Sequence, residues 1–227
     1  MAISSGNRRI FEVLVAEGRD SRVSVELETL CREKSIPFRS VSRKEVDRHG
    51  PGTNGVVARV SERTTISLEQ LIESERSGRR LIILLDSIED PRNLGAILRV
   101  AEAFESTGVV TTKDRSASLT AAAAKASAGA AETVKLVRVV NLRVALDSLR
   151  ERGFWIYGAD SRGRPCGEVD LRGDVALVLG GEGEGLRKLT KAHCDELVSV
   201  PISKRVESLN VSTAAAILAY ETRRQQS

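Results

Sequence analysis

From Leu81 onwards, short apolar segments alternate with segments of helical spacing, and this alternation constrains the fold most strongly. The segment LIILLD (81–86) is continuously apolar and ends in an acid, as is typical of a parallel strand buried on both faces. Helical segments of about ten to fifteen residues separate such strands, which predicts an α/β fold with a mostly parallel sheet. A ligand site is then expected at the carboxyl ends of the strands. The other predicted strands are 108–112, 133–139, 154–160, 174–180 and 196–202, and the predicted helices are 93–104, 118–132 and 142–153.

The first 62 residues predict a separate, smaller α/β domain. Strands are expected at 11–15, 36–41 and 56–60, a helix at 21–34, and a turn in the glycine-rich stretch 47–55. Residues 63–79 are mostly polar, with one short amphipathic piece at Leu68, Leu71 and Ile72, and they are interpreted as a linker or connecting helix. The expected boundaries are therefore 1–62, 63–79 and 80–227.

Three polar stretches follow predicted strands, and the first is DSIEDPRNLGAILR (86–99). Pro91 favours a turn, and Gly95 lets the backbone approach another group closely. Arg99 would lie one to two turns into the next helix and could point back over the strand ends. A simpler interpretation remains open, in which Asn93 caps a helix and Arg99 is a surface residue.

The second stretch, LVLGGEGEGL (177–186), has glycines but matches no phosphate-binding pattern. A dinucleotide fingerprint would need glycine at position 186, which is leucine, and the Gly-Lys-Ser/Thr of a P-loop is missing. Glu182 and Glu184 also oppose a bound phosphate. The loop better suits a ligand that is cationic or rich in hydroxyls and amines, and a nucleotide-dependent oxidoreductase is disfavoured.

The third stretch, SLNVSTAAAILAYE (208–221), leads from a polar cluster into an alanine-rich helix. Either Asn210 or Ser212 could cap that helix. A cap explains one polar residue and leaves the others without a role.

Composition narrows the class of protein. The net charge is +4, and the first 80 residues carry 15 Lys and Arg against 12 Asp and Glu, which weakly favours an anionic partner. Three cysteines without ligand spacing indicate a reducing cytoplasm. No metal is expected, because His193, Cys194 and Asp195 are consecutive and would point apart on a helix. The sequence has neither the pattern of a secretory signal nor an apolar stretch long enough for a membrane span.

Taken in this order, the three stretches resemble the motifs of the SpoU (TrmH) family of RNA ribose 2′-O-methyltransferases in the SPOUT superfamily. The matching segments are NLGAILR (93–99), LGGEGEGL (179–186) and VPISKRVESLNVSTAAAI (200–217), with SLTAAAAKASAGA (118–130) as a further similar segment. The resemblance implies a mostly parallel α/β domain with a C-terminal trefoil knot, S-adenosylmethionine as cofactor, and a homodimer with its site near the subunit interface. It is greatest to the branch that methylates a guanosine in 23S rRNA. A tRNA 2′-O-methyltransferase and an inactive RNA-binding or ribosome-assembly factor are the alternatives.

The resemblance also implies the site residues. The cofactor would be bound largely through backbone groups of Gly180, Val200, Ile202 and Leu209, with Gly181 and Gly183 allowing close approach. The polar reaction site would consist of Asn93, Arg99, Glu182, Ser208 and Asn210. Two roles remain open for Arg99: a base with a strongly lowered pKa, or a cation that fixes a phosphate and stabilises the developing alkoxide.

The first domain resembles, more loosely, the small ribosomal-protein-like RNA-binding domain that often precedes this methyltransferase domain. GTNGVVARV (52–60) is similar to its closing strand, although the family usually has His-Gln-Gly where this chain has Thr53-Asn54-Gly55. Six basic residues are the candidates for phosphate contacts: Arg8, Arg9, Arg39, Arg43, Lys44 and Arg48.

Overall fold

The computed structural model describes residues 3, 7–18, 21–50, 53–74 and 78–227. The chain divides into two compact units, Met1–Thr64 and Thr65–Ser227, and each is described by itself.

The first unit is a three-stranded sheet with a helix against each face. The central strand β1 runs parallel to β2 and antiparallel to β3. Val13 and Val15 pack with Cys31 on one face, and Leu14 packs with Val46 on the other, as the alternation of side chains along a strand requires. The elements are β1 (Ile10–Ala16), α1 (Ser21–Glu33), β2 (Phe38–Val41), α2 (Arg43–Asp47) and β3 (Val56–Val60).

Helix α2 was not predicted, because it is only five residues long and has a single buried residue, Val46. The Ser42 hydroxyl caps it by accepting a hydrogen bond from the backbone N–H of Glu45 at 3.3 Å. The turn predicted before β3 contains Asn54 and Gly55 with φ of 48° and 76°. Its Pro51 and Gly52 lie outside the described residues.

The second unit is built on a six-stranded sheet of order β6-β5-β4-β8-β7-β9. All five strand pairings are parallel, which confirms the predicted α/β class. The strands are β4 (Leu81–Asp86), β5 (Gly108–Thr112), β6 (Leu136–Val139), β7 (Trp155–Pro165), β8 (Val175–Gly180) and β9 (Glu196–Ser199). The helices are α3 (Leu68–Glu73), α4 (Pro91–Ala103), α5 (Ala121–Ala126), α6 (Leu142–Glu151), α7 (Lys188–Ala192) and α8 (Val211–Gln226).

Helices cover both faces of this sheet. Every residue of β4 is buried. Ile83 and Leu85 belong to the same apolar cluster as Leu98 of α4, whereas Ile82 belongs to the cluster on the other face with Leu146 of α6. The continuous apolar run of β4 follows from this two-sided burial.

The segment 63–79, predicted as a linker or connecting helix, contains α3. Ser67 and Gln70 form a capping box at its start. The apolar residues Leu68, Leu71 and Ile72 are buried within the second unit.

The alanine-rich stretch 118–132 is not the single helix that its propensity predicts. It forms α5 and then a 3₁₀ turn at Ala130–Glu132. Ala128 and Gly129, with φ of 49° and 101°, separate the two. The side-chain oxygen of Ser127 accepts a hydrogen bond from the Ala131 N–H at 3.1 Å, so a local side-chain contact replaces the helical pattern.

Three boundaries at the carboxyl edge also differ from prediction. Strand β7 continues to Pro165, with an irregularity between Ala159 and Arg164, which both face Val198. Strand β9 ends at Ser199, three residues before the predicted end. Helix α7 lies between the predicted strands 174–180 and 196–202, where no helix was predicted.

Candidate active site

A cavity of about 530 Å³ lies at the carboxyl ends of β7, β8 and β9. The loop after β8, the loop after β9 and the start of α8 form its walls. All six residues expected at the cofactor line it: Gly180, Gly181, Gly183, Val200, Ile202 and Leu209. Parallel topology brings them together, because it collects consecutive strand ends at one edge.

The glycine loop is tightly folded on itself. A Cβ atom on Gly180 would lie 2.1 Å from the carbonyl carbon of Gly185, and one on Gly181 would lie 2.4 Å from the backbone oxygen of Ser87. Gly183 has a left-handed φ of 84° and open space around it. At Gly181 the absence of a side chain therefore makes room for the chain's own backbone, and the close approach of the cofactor there stays a prediction.

Asn93, Glu182 and Asn210 form a closed polar cluster at this edge. The Asn210 Nδ2 group donates to Asn93 Oδ1 at 3.1 Å and to Glu182 Oε1 at 3.4 Å. Asn93 Nδ2 donates to the same Glu182 oxygen. The three residues come from α4, the glycine loop and the residue before α8, so the cluster joins all three motifs.

Asn210 is also the N-cap of α8. Its Oδ1 accepts hydrogen bonds from the Ser212 backbone N–H at 2.9 Å and from the Ser212 hydroxyl at 2.6 Å. The amide oxygen of Asn210 accepts the hydrogen bonds of the cap, and the amide nitrogen remains to donate to Asn93 and Glu182. Capping and participation in a site, which the sequence presents as alternatives, are therefore combined in one side chain.

The other two predicted reaction-site residues are placed differently. Ser208 lines the cavity. Arg99 is exposed on α4 and does not line the cavity. Within the described residues, neither side chain makes a hydrogen bond or an ion pair. Asn93 does not cap a helix, because α4 begins at Pro91 with Asp90 as its N-cap, and Asn93 is 6% exposed.

A second cavity of about 470 Å³ lies beside the glycine loop. It shares Gly181 and Glu182 with the first cavity and is also lined by Ser87, Asn93 and Arg187. The polar cluster therefore borders two cavities, which allows two ligands to meet at it.

Charge favours a cationic ligand in the first cavity. Four carboxylates and two basic side chains line it, a formal charge of −2: Asp160, Glu182, Glu184, Glu207, Arg162 and Lys191. A sulfonium centre would be attracted by this balance. The charge of the lining therefore fits S-adenosylmethionine.

Two ion pairs at the strand ends were not predicted. Asp86, the last residue of β4, is fully buried and accepts hydrogen bonds from Arg187 Nε at 2.6 Å and from the Arg187 backbone N–H at 3.1 Å. This pair fixes the end of the glycine loop to β4. The acids of the two pairs, Asp86 and Asp160, end predicted apolar strands and can be recognised in the sequence. Their basic partners cannot.

The second pair, Asp160 with Lys191, lines the first cavity. Burial raises the pKa of Asp160, but the hydrogen bond from Lys191 and that from the Arg162 backbone N–H outweigh it. The pKa of this carboxyl therefore lies below its usual value, and Asp160 is ionised at neutral pH.

Among the described residues, no group of three or more histidine, cysteine or acidic residues is placed to hold a metal ion. Asp195 pairs with Arg150 at 3.0 Å, and Cys194 Sγ lies 3.3 Å from the Thr190 carbonyl oxygen. In the same part of the chain, no helix has the length and apolar content needed to cross a membrane.

Residues 80–220 match the model of the SpoU rRNA Methylase family. This match covers more than half of the chain. The protein belongs to the SpoU rRNA methylase family. The predictions of an α/β methyltransferase that uses S-adenosylmethionine and acts on RNA are thereby confirmed.

Curated relatives of this SpoU protein are similar over nearly the whole chain. The 23S rRNA (guanosine-2′-O-)-methyltransferase RlmB of Xanthomonas campestris is 43% identical over 221 residues, which are 95% of this chain and 88% of the relative. The enzyme of the same name from Pseudomonas aeruginosa is 41% identical over 96% of this chain and 90% of its own.

Solved structures agree on the fold. The SpoU methyltransferase AviRb from Streptomyces viridochromogenes in complex with AdoMet has a TM-score of 0.82 at 22% identity, over 99% of this chain and 86% of that chain. A structure described as an RNA 2′-O ribose methyltransferase has a TM-score of 0.81 at 26% identity, over 99% and 84% of the two chains.

Proposed function

We propose that the protein transfers the methyl group of S-adenosylmethionine to the ribose 2′-hydroxyl of a guanosine in 23S rRNA. The observation that carries this proposal is the cluster of Asn93, Glu182 and Asn210 between two cavities, one of which has the lining expected for the cofactor. The names of the RlmB relatives supply the RNA and the nucleotide. Ribosomal RNA as substrate is consistent with the cytoplasmic location expected from the cysteines.

The chain's own residues hold the reactants. Backbone groups of Gly180, Ile202 and Leu209 would bind the cofactor, which supplies an electrophilic methyl group on its sulfonium. The acceptor nucleotide would occupy the second cavity, so that its ribose reaches Asn93 and Asn210. Positioning of this kind accounts for most of the rate of an in-line displacement.

Within the cluster, Glu182 orients the two amides by accepting a hydrogen bond from each. Ser208, which makes no hydrogen bond in the described residues, would add a hydroxyl for the ribose. We assign Arg99 the role of the cation, since a guanidinium keeps its proton at neutral pH. It would stabilise the negative charge that develops on the ribose oxygen.

We also propose a homodimer, with Arg99 of one subunit acting at the site of the other. What supports this is an exposed aromatic side chain, Tyr220, on α8, the helix that packs against α4. Tyr220 is 55% exposed and contacts Phe104 edge-on, with ring centroids 6.3 Å apart. Arg99 is exposed on the same helix α4, where a second subunit could receive it.

The trefoil knot implied by the resemblance is part of the same proposal. It is supported by the path of the chain, which leaves edge strand β9 and returns in α8 against α4 and β8 in the middle of the sheet. This path places the C-terminal helix α8 beside α4, which lies more than 100 residues earlier in the sequence. Knotted topologies are rare.

The experiment that tests the activity is transfer of labelled methyl groups from S-adenosylmethionine to separated 23S rRNA, 16S rRNA and tRNA. We expect label in 23S rRNA, in a dinucleotide whose linkage resists alkali. Label in tRNA would move the protein to the tRNA branch. Cofactor binding or RNA binding without transfer would identify an inactive assembly factor.

Mixed dimers test the role of Arg99 across the interface. Subunits with Arg99→Ala keep the cluster, and subunits with Asn210→Asp keep Arg99. If Arg99 acts on the other subunit's site, random mixing should restore about a quarter of the parent activity, because half of the dimers then have one intact site. No recovery in dimers shown to be mixed would place Arg99 at its own subunit's site.

A further inference from the structure

The first unit contains a β-bulge that was not anticipated. In the antiparallel pair of β1 and β3, Ile10 faces Val60 and Glu12 faces Arg59, so Phe11 is one residue too many on β1. Bulges of this kind bend a strand and redirect a side chain, and they are common near binding sites. The redirected side chain is the only aromatic residue of β1.

Two arginines lie over the ring of Phe11. The guanidinium carbon of Arg9 is 5.4 Å from the ring centroid, and that of Arg59 is 5.1 Å away. Both arginines are exposed, and in the part of the chain that the structure describes neither side chain has an acidic partner. Stacking on a ring fixes a guanidinium without using its N–H donors. Both groups therefore retain donors for an anion.

The surroundings of this stack are strongly basic. The ends of β1 and β3 are joined here by hydrogen bonds from the Ser61 N–H to the Arg9 oxygen at 2.8 Å and from the Arg9 N–H to Ser61 Oγ at 3.1 Å. Residues 7–12 and 59–63 together contain four arginines and two acids, Glu12 and Glu62. The local formal charge is therefore +2.

Two of the other basic residues expected to contact RNA, Arg39 and Arg43, already pair with carboxylates. Arg39 pairs with Glu12 at 3.3 Å and with Glu45 at 3.8 Å, and Arg43 pairs with Asp47 at 3.2 Å. An RNA phosphate would have to compete with these carboxylates. Lys44 and Arg48 are exposed at α2 and form a separate basic pair without an aromatic side chain between them.

We propose that Arg9, Phe11 and Arg59 form a contact surface for the RNA backbone. This inference rests on the proposed function only in taking RNA as the partner. Each guanidinium can bind a phosphate through two parallel N–H donors, and the ring keeps both groups oriented before binding. Binding by this surface should not depend on the RNA sequence, since phosphate contacts carry no sequence information.

The test is the binding of full-length protein to transcribed 23S rRNA by fluorescence anisotropy across a series of KCl concentrations. The double variant Arg9→Ala/Arg59→Ala should bind at least about 10-fold more weakly, with the slope of log K against log salt reduced by about 1 to 2, as for two lost phosphate contacts. Phe11→Leu keeps both charges and should weaken binding a few-fold with the slope nearly unchanged. Circular dichroism and cofactor affinity confirm that each variant is folded.

Arg39→Ala/Arg43→Ala is the matched control, because it also removes two positive charges from the same unit. It should bind RNA nearly as the parent does. The proposal is wrong if the control loses as much affinity as Arg9→Ala/Arg59→Ala, since general charge then accounts for binding. It is also wrong if Arg9→Ala/Arg59→Ala binds with the parent's affinity and slope, or if only Lys44→Ala/Arg48→Ala weakens binding. A parent protein that binds RNA without methylating it contradicts the proposed function alone.

Discussion

The two units hold their functional polar side chains in opposite ways. In the second unit, Asn93, Glu182 and Asn210 are fixed by hydrogen bonds to one another, beside a loop that leaves no room for a Cβ atom at Gly180 or Gly181. In the first unit, Arg9 and Arg59 are exposed and are held by a ring. Methyl transfer requires a geometry fixed to a fraction of an ångström, whereas phosphate contacts act through charge over longer distances. Substitutions should therefore be far more damaging in the second unit.

The largest effect is expected at the glycine loop. Alanine at Gly180 or Gly181 would collide with backbone atoms 2.1 and 2.4 Å away, so the loop cannot close. We expect cofactor affinity, measured by calorimetry with S-adenosylhomocysteine, to fall by at least about 1000-fold. Gly183→Ala is the matched control: it meets no atom, and its left-handed φ costs only about 1 kcal/mol. Equal losses in all three variants would show that the loop is generally intolerant of side chains.

Arg99→Ala should have the next largest effect, and it tests whether an exposed residue can belong to the precisely positioned site. As a cation that stabilises developing charge, Arg99 should contribute roughly 100-fold to 1000-fold to kcat. Cofactor affinity and the melting temperature should not change, because the exposed Arg99 side chain makes no hydrogen bond or ion pair with the described residues of its own chain. A pH–rate profile that loses an ionisation in Arg99→Lys would instead identify it as the base.

Asn210 allows its two roles to be separated. Asn210→Asp keeps an oxygen for the Ser212 cap but replaces the N–H donor to Asn93 and Glu182 with a second carboxylate. We expect kcat to fall about 100-fold, with stability reduced by less than the roughly 1 kcal/mol of a lost cap. Asn210→Ala should lose both the helix cap and the amide donor. Thermal unfolding reports the loss of the cap and steady-state kinetics report the loss of the donor. A fully active Asn210→Asp enzyme would show that the amide donor has no part in the mechanism.

The sequence was sufficient where the signal is local. Apolar strand β4 and the glycine pattern of 179–186 predict their own structure, and the order of the three motifs indicates the family. Contacts across the sheet were not predictable. Asp160 meets Lys191, and Phe11 meets Arg59, only because strand register and a bulge bring them together. Helix propensity failed at Ala128 and Gly129, where the Ser127 side chain bonds to the backbone.

The smallest effect is expected at Asp160, which tests whether the cavity wall matters as much as the cluster. Asp160→Asn keeps the shape of the side chain but removes the charge that faces Lys191. We expect the KM for S-adenosylmethionine to rise about 10-fold, with kcat nearly unchanged, since such a loss affects ground state and transition state alike. Because the pKa of Asp160 lies below its usual value, the parent carboxyl stays charged and the ratio of KM values should be constant from about pH 6 to pH 9. Lys191→Met removes the ammonium group and leaves Asp160 with Arg162 as its remaining basic partner, and a similar rise in KM there would assign the effect to the pair with Lys191. A fall in kcat instead would mean that this wall, like the cluster, positions the reacting atoms.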